Sequence, residues 1–381
     1  MHRQQRDQTH ALLQSRGIKQ AIFTRHESVK WLTGVAIPVQ VGTNLFAAGP
    51  AVVWYNEGHF WLIVLAGYAG LTAFLQSDDD ITVVPYNAYR IDGPIQSGEN
   101  LRAEFSAVLQ SAGVSDRIGV EMDFTPLGMI ETIRAKAPVS VSFLAVDSWL
   151  EPLRTIKTAE EINKLRRNFA LTDLAHGIAR EVIRPGLREI DVWTEIHTGV
   201  QRAAGQRVAM GNDLVIGRRD PDNIGGWPLD LEIQAGDSVI VDISTIHEGY
   251  WSDSCNTYYA TEPTDEQLKM RQVILEALDL GYSLLRPGAV AKDIDSALRN
   301  FIEKHGYPVY PHHTGHSVGV SGHENPRITP YSEEVLQAGM VIMLEPGTYF
   351  AGRTGVRLED GYLITEQGAE RLTSHLHTVG E

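Results

Sequence analysis

Residues 238–260 read SVIVDISTIHEGYWSDSCNTYYA, and the placement of two acids in this stretch decides the fold. Val239, Ile240 and Val241 run into Asp242, a turn follows around His247-Glu-Gly249, and Tyr250 and Trp251 lead past Asp253 to Thr257-Tyr-Tyr259. Apolar and aromatic runs flanking a glycine turn predict a β-hairpin. Asp242 and Asp253 stand symmetrically about the turn, which puts them face to face on adjacent strands with Cβ atoms about 5 Å apart. Two carboxylates that close repel each other unless a cation lies between them.

The pattern recurs in residues 340–365, MVIMLEPGTYFAGRTGVRLEDGYLIT. The strand Val341–Leu344 ends in Glu345-Pro-Gly347, the turn lies at Gly352-Arg-Thr-Gly355, and Val356-Arg-Leu358 leads to Glu359-Asp360. Gly352 is the midpoint between Glu345 and Glu359, so a second hairpin carries a second facing pair. A lone acidic pair on a strand is ordinarily solvated. Two pairs, each beside an uninterrupted apolar strand, predict buried carboxylates, which must be paired or metal-bound.

Between the hairpins lies HHTGHSVGVSGH, residues 312–323. Histidine is the commonest side-chain metal ligand, and glycines at 315, 319 and 322 allow close backbone approach. His313 and His305 are read as ordinary core or surface residues. Oxygen-rich ligation with one histidine suits Mn, Co, Fe or Zn. Two metals sharing carboxylates turn a bridging water into hydroxide at neutral pH and polarise a carbonyl, and nearby histidines can stabilise the oxyanion.

These residues resemble the creatinase/prolidase/aminopeptidase P superfamily, the pita-bread metallopeptidases. The matching segments are Val241-Asp-Ile243 with Gly249-Tyr-Trp-Ser-Asp253, His312-His-Thr-Gly-His316, Leu344-Glu-Pro-Gly347 and Val356-Arg-Leu-Glu-Asp360. Ile156-Lys-Thr-Ala-Glu-Glu161 looks like the family's interdomain junction, and Trp31-Leu-Thr-Gly34 is a weaker match nearer the start. The resemblance implies that Asp242 chelates one metal, His316 and Glu345 hold the other, and Asp253 and Glu359 bridge. It further implies that Glu345 shuttles the proton, that His312 and His323 are substrate-side histidines, and that Arg357 backs the ligands. Two divalent ions are expected, manganese first, with cobalt, zinc or iron as alternatives. The substrate is expected to be an Xaa-Pro dipeptide or a related small molecule, and the assembly a homodimer.

One position departs from the pattern. Family peptidases carry another active-site histidine upstream of the first aspartate, usually followed by glycine, and here that place is Gly225 in Asn223-Ile-Gly-Gly-Trp-Pro228. Two glycines enlarge that wall and Trp227 reshapes it; otherwise the loop is shifted and His247 or Arg219 reaches in. The departure raises a second reading, a creatinase-like metallohydrolase acting on a non-peptide amide or another small C–N bond. A non-catalytic binding protein on the same fold ranks last, because all five ligands are present.

The rest of the chain fits this frame. Its 381 residues suffice for two domains with cores. The first is an α/β N-terminal domain (residues 1–153); an α+β pita-bread catalytic domain (154–381) follows. A formal charge of −15 argues against nucleic-acid or anionic-membrane partners. The single cysteine, Cys255, excludes an internal disulfide and reads as a small buried residue. The polar first residues lack the apolar stretch of a signal peptide, and the apolar run Phe60–Leu75 is short for a membrane span, so the cytoplasm is expected.

In the first domain a helix is expected at residues 8–16, strands at 20–23, 51–54, 60–65 and 117–122, and a helix near 98–113. In the second, the capping box Thr158-Ala-Glu-Glu161 opens a long helix with Ile162, Leu165, Phe169, Leu174 and Ile178 on its apolar face, stopped by Arg184-Pro-Gly186. Arg184-Pro-Gly186 with Glu189-Ile-Asp191 is echoed by Arg286-Pro-Gly288 with Asp293-Ile-Asp295, which suggests two related halves.

Overall fold

The computed structural model describes residues 2–37, 51–89, 91–211, 213–219 and 225–377. The chain divides into two compact units, Met1–Leu153 and Arg154–Glu381.

The first unit is built on a six-stranded mixed sheet. Its strands are β1 (Gln20–Phe23), β2 (Val52–Asn56), β3 (His59–Leu65), β4 (Ile81–Tyr86), β5 (Arg117–Val120) and β6 (Ser142–Ala145), in the order β4-β3-β2-β1-β5-β6. Ile22, Trp54, Ile63, Ile118 and Val120 pack with Phe105 and Leu109 of the helix Ser97–Ala112 and Ile133 of the helix Leu127–Lys136. The expected α/β pattern is therefore present. The first helix, however, runs Arg3–Ser15 rather than starting at residue 8. Its extra turn is polar in sequence and still buries Gln5 and Arg6: Arg6 is 0% exposed, with Asp80 and Asp78 accepting from its guanidinium at 2.7 and 2.8 Å. An ion pair across such a span leaves no periodic signal. The apolar run from Phe60 supplies β3 and then breaks into short helical turns. No helix among the described residues is long and apolar enough to cross a membrane.

In the second unit the sequence echo is a structural repeat. The helices Ala159–Val182 and Glu189–Ala204 flank the first Arg-Pro-Gly turn, and Asp265–Leu284 and Ala291–Lys304 flank the second. Each turn is pinned in the same way. Gly186 N–H donates to Ile233 O and Ile233 N–H to Leu187 O; Gly288 N–H donates to Leu336 O and Leu336 N–H to Ala289 O. Each helix pair then covers its own strands and its own core. The first core joins Ala175, Ala179, Val192 and Ile196 to Val239 and Val241; the second joins Ile274, Leu278, Ile294 and Leu298 to Ile342, Leu344 and Tyr362.

The first half contains β7 (Ala209–Gly211), β8 (Leu214–Ile216), β9 (Ser238–His247), β10 (Tyr250–Trp251) and β11 (Ser254–Tyr259), all organised around β9. The second contains β12 (Gly315–Ser317), β13 (Glu324–Ile328), β14 (Val341–Leu344), β15 (Gly347–Phe350), β16 (Thr354–Arg357), β17 (Asp360–Thr365) and β18 (Gly368–Arg371). These form a sheet in the order β13-β12-β14-β17-β18, with β15 and β16 as a separate ribbon. Each half thus brings one of the acidic hairpins.

The helix Ala159–Val182 begins at the predicted capping box, where Thr158 Oγ1 accepts from Glu161 N–H and the Glu161 carboxylate accepts from Thr158 N–H. Its buried face holds the predicted Leu165 and Phe169 but is not wholly apolar. Leu174 is exposed, while Asn168, Thr172 and His176 are buried. Thr172 Oγ1 donates within the helix to Phe169 O, and the other two are satisfied by the packed strands: Asn168 Oδ1 accepts from Thr245 Oγ1 and His247 N–H, and His176 Nδ1 lies 3.0 Å from the Tyr258 hydroxyl.

Candidate metal centre

The hairpin turn of β9 and β10 takes positive φ at Glu248 (52°) and Gly249 (74°), as a tight two-residue turn requires. The register that follows shifts the expected pairing. Asp242 stands opposite Cys255, and Asp253 is displaced two residues toward the turn. The two acids are therefore diagonal neighbours rather than a facing pair. A two-residue offset preserves side-chain parity, so both still project from the same face. Ser244 Oγ donates to Asp253 Oδ1 at 3.0 Å and fixes that carboxylate. Cys255 is fully buried and free, as its sequence context implied.

The second hairpin keeps the expected register. Leu344 pairs with Asp360 and Gly347 with Arg357, which sets Glu345 opposite Glu359. The ladder opens at this step. Glu345 N–H donates to Thr314 O, and Glu359 N–H donates to Cys255 O. The second bond ties the two halves together at the site itself.

His316 comes in on β12, which pairs with β14. The pairing is close: a Cβ on Gly315 would overlap the Met343 carbonyl, so the strand that delivers His316 needs glycine there. Lys157, buried, donates to Ser317 Oγ at 2.8 Å and to Glu324 at 3.2 Å, holding the same strand from the other side. His316 Nδ1 donates to Ser317 O at 3.0 Å, which leaves the Nε2 lone pair free to ligate. That Nε2 lies 3.8 Å from Asp253 Oδ2, 3.6 Å from Glu345 Oε1 and 3.8 Å from Glu359 Oε1.

Asp242, Asp253, His316, Glu345 and Glu359 line one cavity of about 370 Å3, together with His312, His323 and Arg357. All eight residues singled out in the sequence are thus brought together. His312 Nε2 accepts from the Tyr349 hydroxyl at 2.8 Å, and Arg357 donates to Asp242 Oδ2 at 2.8 Å. His323 is exposed, with its ring centroid 4.1 Å from that of His316.

The electrostatics are those of a site built for cations. Burial, opposed by Arg357 and reinforced by Asp213 and Glu345, pushes Asp242 up to about 6. Burial and the neighbouring acids push Asp253 and Glu359 well above the carboxylate range. Burial holds His312 down to about 4 and His316 to about 3, so both are neutral and able to donate a lone pair at pH 7. The buried Glu359 Oε1 has no hydrogen-bond partner among the described residues. Carboxylates crowded this way, around an unprotonated imidazole nitrogen, fit divalent ions.

Three features escaped the sequence reading. His313, taken as ordinary, lines the cavity with Nε2 2.8 Å from Glu345 Oε1; its adjacency to His312 was the available signal. Asp213 also lines the cavity, 3.1 Å from Arg357, but a single acid before a short strand carries no distinctive spacing. Gly225 has the Asp213 carboxylate against it, and neither proposed substitute enters the cavity. Arg219 is turned to Glu189 and to Trp227 O, His247 lies 2.5 Å from Gln206, and neither is among the cavity-lining residues. Trp227 is 80% exposed and does not line the cavity either. Asn223 and Ile224 lie outside the described residues.

Comparison with known proteins agrees with this geometry. Residues 163–366 match Metallopeptidase family M24, and residues 5–156 match the Creatinase/Prolidase N-terminal domain. An Xaa-Pro dipeptidase from Pyrococcus furiosus is 34% identical over 334 residues, which cover 87% of this chain and 93% of the relative. The prolidase structure from Pyrococcus horikoshii superposes with a TM-score of 0.80 at 26% identity, covering 98% of this chain and 99% of the other. An Xaa-Pro dipeptidase structure from Bacillus anthracis gives a TM-score of 0.82 at 24% identity, over 100% of this chain and 99% of the other, and shares the fold. With its catalytic half spanned by the family match, its pita-bread hairpins and its ring of carboxylates around His316, this chain belongs to metallopeptidase family M24.

Proposed function

We propose that the protein is a dinuclear metal-dependent dipeptidase that hydrolyses the amide bond of Xaa-Pro substrates. The observation that carries this reading is the position of His316 Nε2, 3.6–3.8 Å from three carboxylates in one cavity. Asp242 would hold one ion, His316 and Glu345 would hold the other, and Asp253 and Glu359 would serve both. Two divalent ions, manganese by preference, would supply a nucleophile from water at neutral pH and would polarise the scissile carbonyl.

The chain's own residues do the remaining work. Glu345 carries the proton from the attacking water to the leaving nitrogen. His323 donates to the oxygen on which negative charge develops, and His312 lines the substrate side. Arg357 keeps Asp242 ionised and in place through its 2.8 Å contact. Residues 1–153 serve as the creatinase/prolidase-like N-terminal domain and residues 154–381 as the catalytic domain. The protein acts as a cytoplasmic homodimer, and sedimentation should give twice the single-chain mass of 42.2 kDa.

A second reading is favoured by Gly225, which stands where family peptidases carry a further active-site histidine: the substrate is a non-peptide amide or another small C–N bond. The deciding assay is turnover by the manganese-reconstituted protein on Xaa-Pro dipeptides, longer Xaa-Pro peptides and non-proline dipeptides, with a chelator control. Chelator-sensitive cleavage of Xaa-Pro bonds is the expected result. A metal-loaded protein that cleaves none of them moves the assignment to small amides.

A further inference from the structure

Asp213 is the one cavity carboxylate that the proposed metal set does not use. It immediately precedes β8, and its carbonyl accepts from Asp242 N–H at 2.9 Å. The β8–β9 register, with Leu214 opposite Val241, places Asp213 directly opposite Asp242. The two acids therefore project from the same face of the sheet, one strand spacing (about 4.8 Å) apart. Arg357 bridges them, 2.8 Å from Asp242 and 3.1 Å from Asp213. Asp213 is thus held beside the ligands without joining them. Its side chain remains 30% exposed, against 14% for Asp242 and 9% for Asp253.

Gly225 is the other half of the arrangement. A Cβ built there would overlap the Asp213 carboxylate. The absence of a side chain at 225 is what leaves room for the carboxylate in the cavity wall. Arg357 is the only lysine or arginine among the described cavity-lining residues, set against five carboxylates. With two divalent ions answering the four ligand acids, Asp213 is answered by Arg357 alone, and its partly exposed carboxylate is the one in the cavity not committed to metal.

We propose that Asp213, given room by Gly225, binds the free α-ammonium group of the substrate. The position selects this group over a cationic side chain. The α-nitrogen is two bonds from the scissile carbonyl carbon, so its partner must stand next to the metal ligands, as Asp213 does. A lysine-type ammonium lies several bonds further out. This assignment rests on the dipeptidase reading, and its test separates binding from turnover.

Non-hydrolysable phosphinic isosteres of Ala-Pro, N-acetyl-Ala-Pro and N-acetyl-Lys-Pro are titrated calorimetrically into manganese-loaded wild type, Asp213→Asn and Gly225→Ala. A charge-assisted contact of this kind corresponds to about 10–100-fold in affinity. The wild type should prefer the free-amine ligand to both capped ligands, and both substitutions should reduce that preference at least tenfold. Equal weakening of all three ligands would make Asp213 a support for Arg357 only and overturn the assignment. Retention of the preference would do the same, and a preference for the capped lysine ligand would reassign the site to side-chain cations. Parallel kinetics on Ala-Pro should show the Asp213→Asn loss in KM more than in kcat. If Ala-Pro is not cleaved at all, the dipeptidase reading fails, while the titrations still decide whether Asp213 receives an ammonium.

Discussion

Glu359 and Asp360 are consecutive residues, yet they belong to two unlike groups of buried acids and histidines. Glu359 meets Asp253 and His316 in the cavity; Asp360 meets His375 and His377 away from it. Burial does not separate the groups, since Glu359 is 1% and Asp360 2% exposed. What separates them is the charge facing each acid. Asp360 Oδ1 accepts from Arg371 at 2.7 Å and Thr373 at 2.6 Å, and its Oδ2 accepts from His377 at 3.0 Å. His375 is in turn held through Nδ1 by Asp173 at 3.1 Å. Although burial alone would raise it, the His377, His375 and Arg371 contacts hold the Asp360 carboxyl below the usual range. Asp253 and Glu359 face other acids and are driven the opposite way. Asp360 carries its own counter-charge, whereas Asp253 and Glu359 require theirs from solution; among the cavity acids Glu345, against the effect of burial, is held down by His313, His312 and His316.

The largest effect should come from breaking the second group. Asp253→Ala or Glu359→Ala removes a carboxylate proposed to serve both ions, and turnover should be abolished with loss of bound metal. Steady-state kinetics together with elemental analysis of the purified variants checks this. A near-normal kcat in either variant would show that the cavity acids do not act as a shared ligand set, and the contrast with Asp360 would lose its meaning.

A smaller and different effect is expected one residue along. Asp360→Asn keeps the shape and removes the charge that Arg371 and His377 answer. The stability loss should be about 2–3 kcal/mol, below the range for a fully buried broken pair, because Arg371 is 37% exposed and can rehydrate. Metal content should remain at the wild-type level. Urea denaturation and elemental analysis distinguish the cases. Metal loss without loss of stability would merge the two groups into one.

This contrast also explains how much was legible in the sequence. The gathering of the five proposed ligands in one cavity could be read because hairpin symmetry and apolar flanks are properties of local sequence, and the Glu345–Glu359 register came out as expected. The Asp242–Asp253 register did not, because only the backbone of the turn at Glu248 and Gly249 fixes where the ladder begins. Asp360, His375 and His377 went unread because their association depends on the terminal segment returning beside β17. Asp213 went unread because its importance depends on strand pairing and on Gly225. Arg6, Asn168 and His176 misled the helix readings for one reason: a polar side chain satisfied by a distant partner is buried without periodicity.

The smallest expected effect tests the electrostatic distinction itself. Asp242, raised to about 6, and Asp253 and Glu359, raised further by burial and one another, bind protons more tightly in the folded metal-free protein than in the unfolded chain. Their proton-linked stabilisation is complete below the unfolded carboxylate value and is lost as pH rises through the folded one. Divalent ions bind only the ionised acids and so replace what is lost. His316, held down to about 3, stays neutral through this range and adds no proton competition of its own. The rise in Tm caused by a fixed concentration of Mn should therefore grow between about pH 5 and pH 7.5 as the acids ionise. Asp360, shifted the other way, is ionised throughout and contributes equally with and without metal. Glu121 in the first unit, raised by burial to about 7, changes the melting temperature with pH but cancels in the same difference. Thermal melts with Mn and with chelator across this range isolate the cavity term. A metal-induced rise in Tm that is flat with pH would mean that the cavity acids are ionised and satisfied without metal, and the two groups would then differ in position alone.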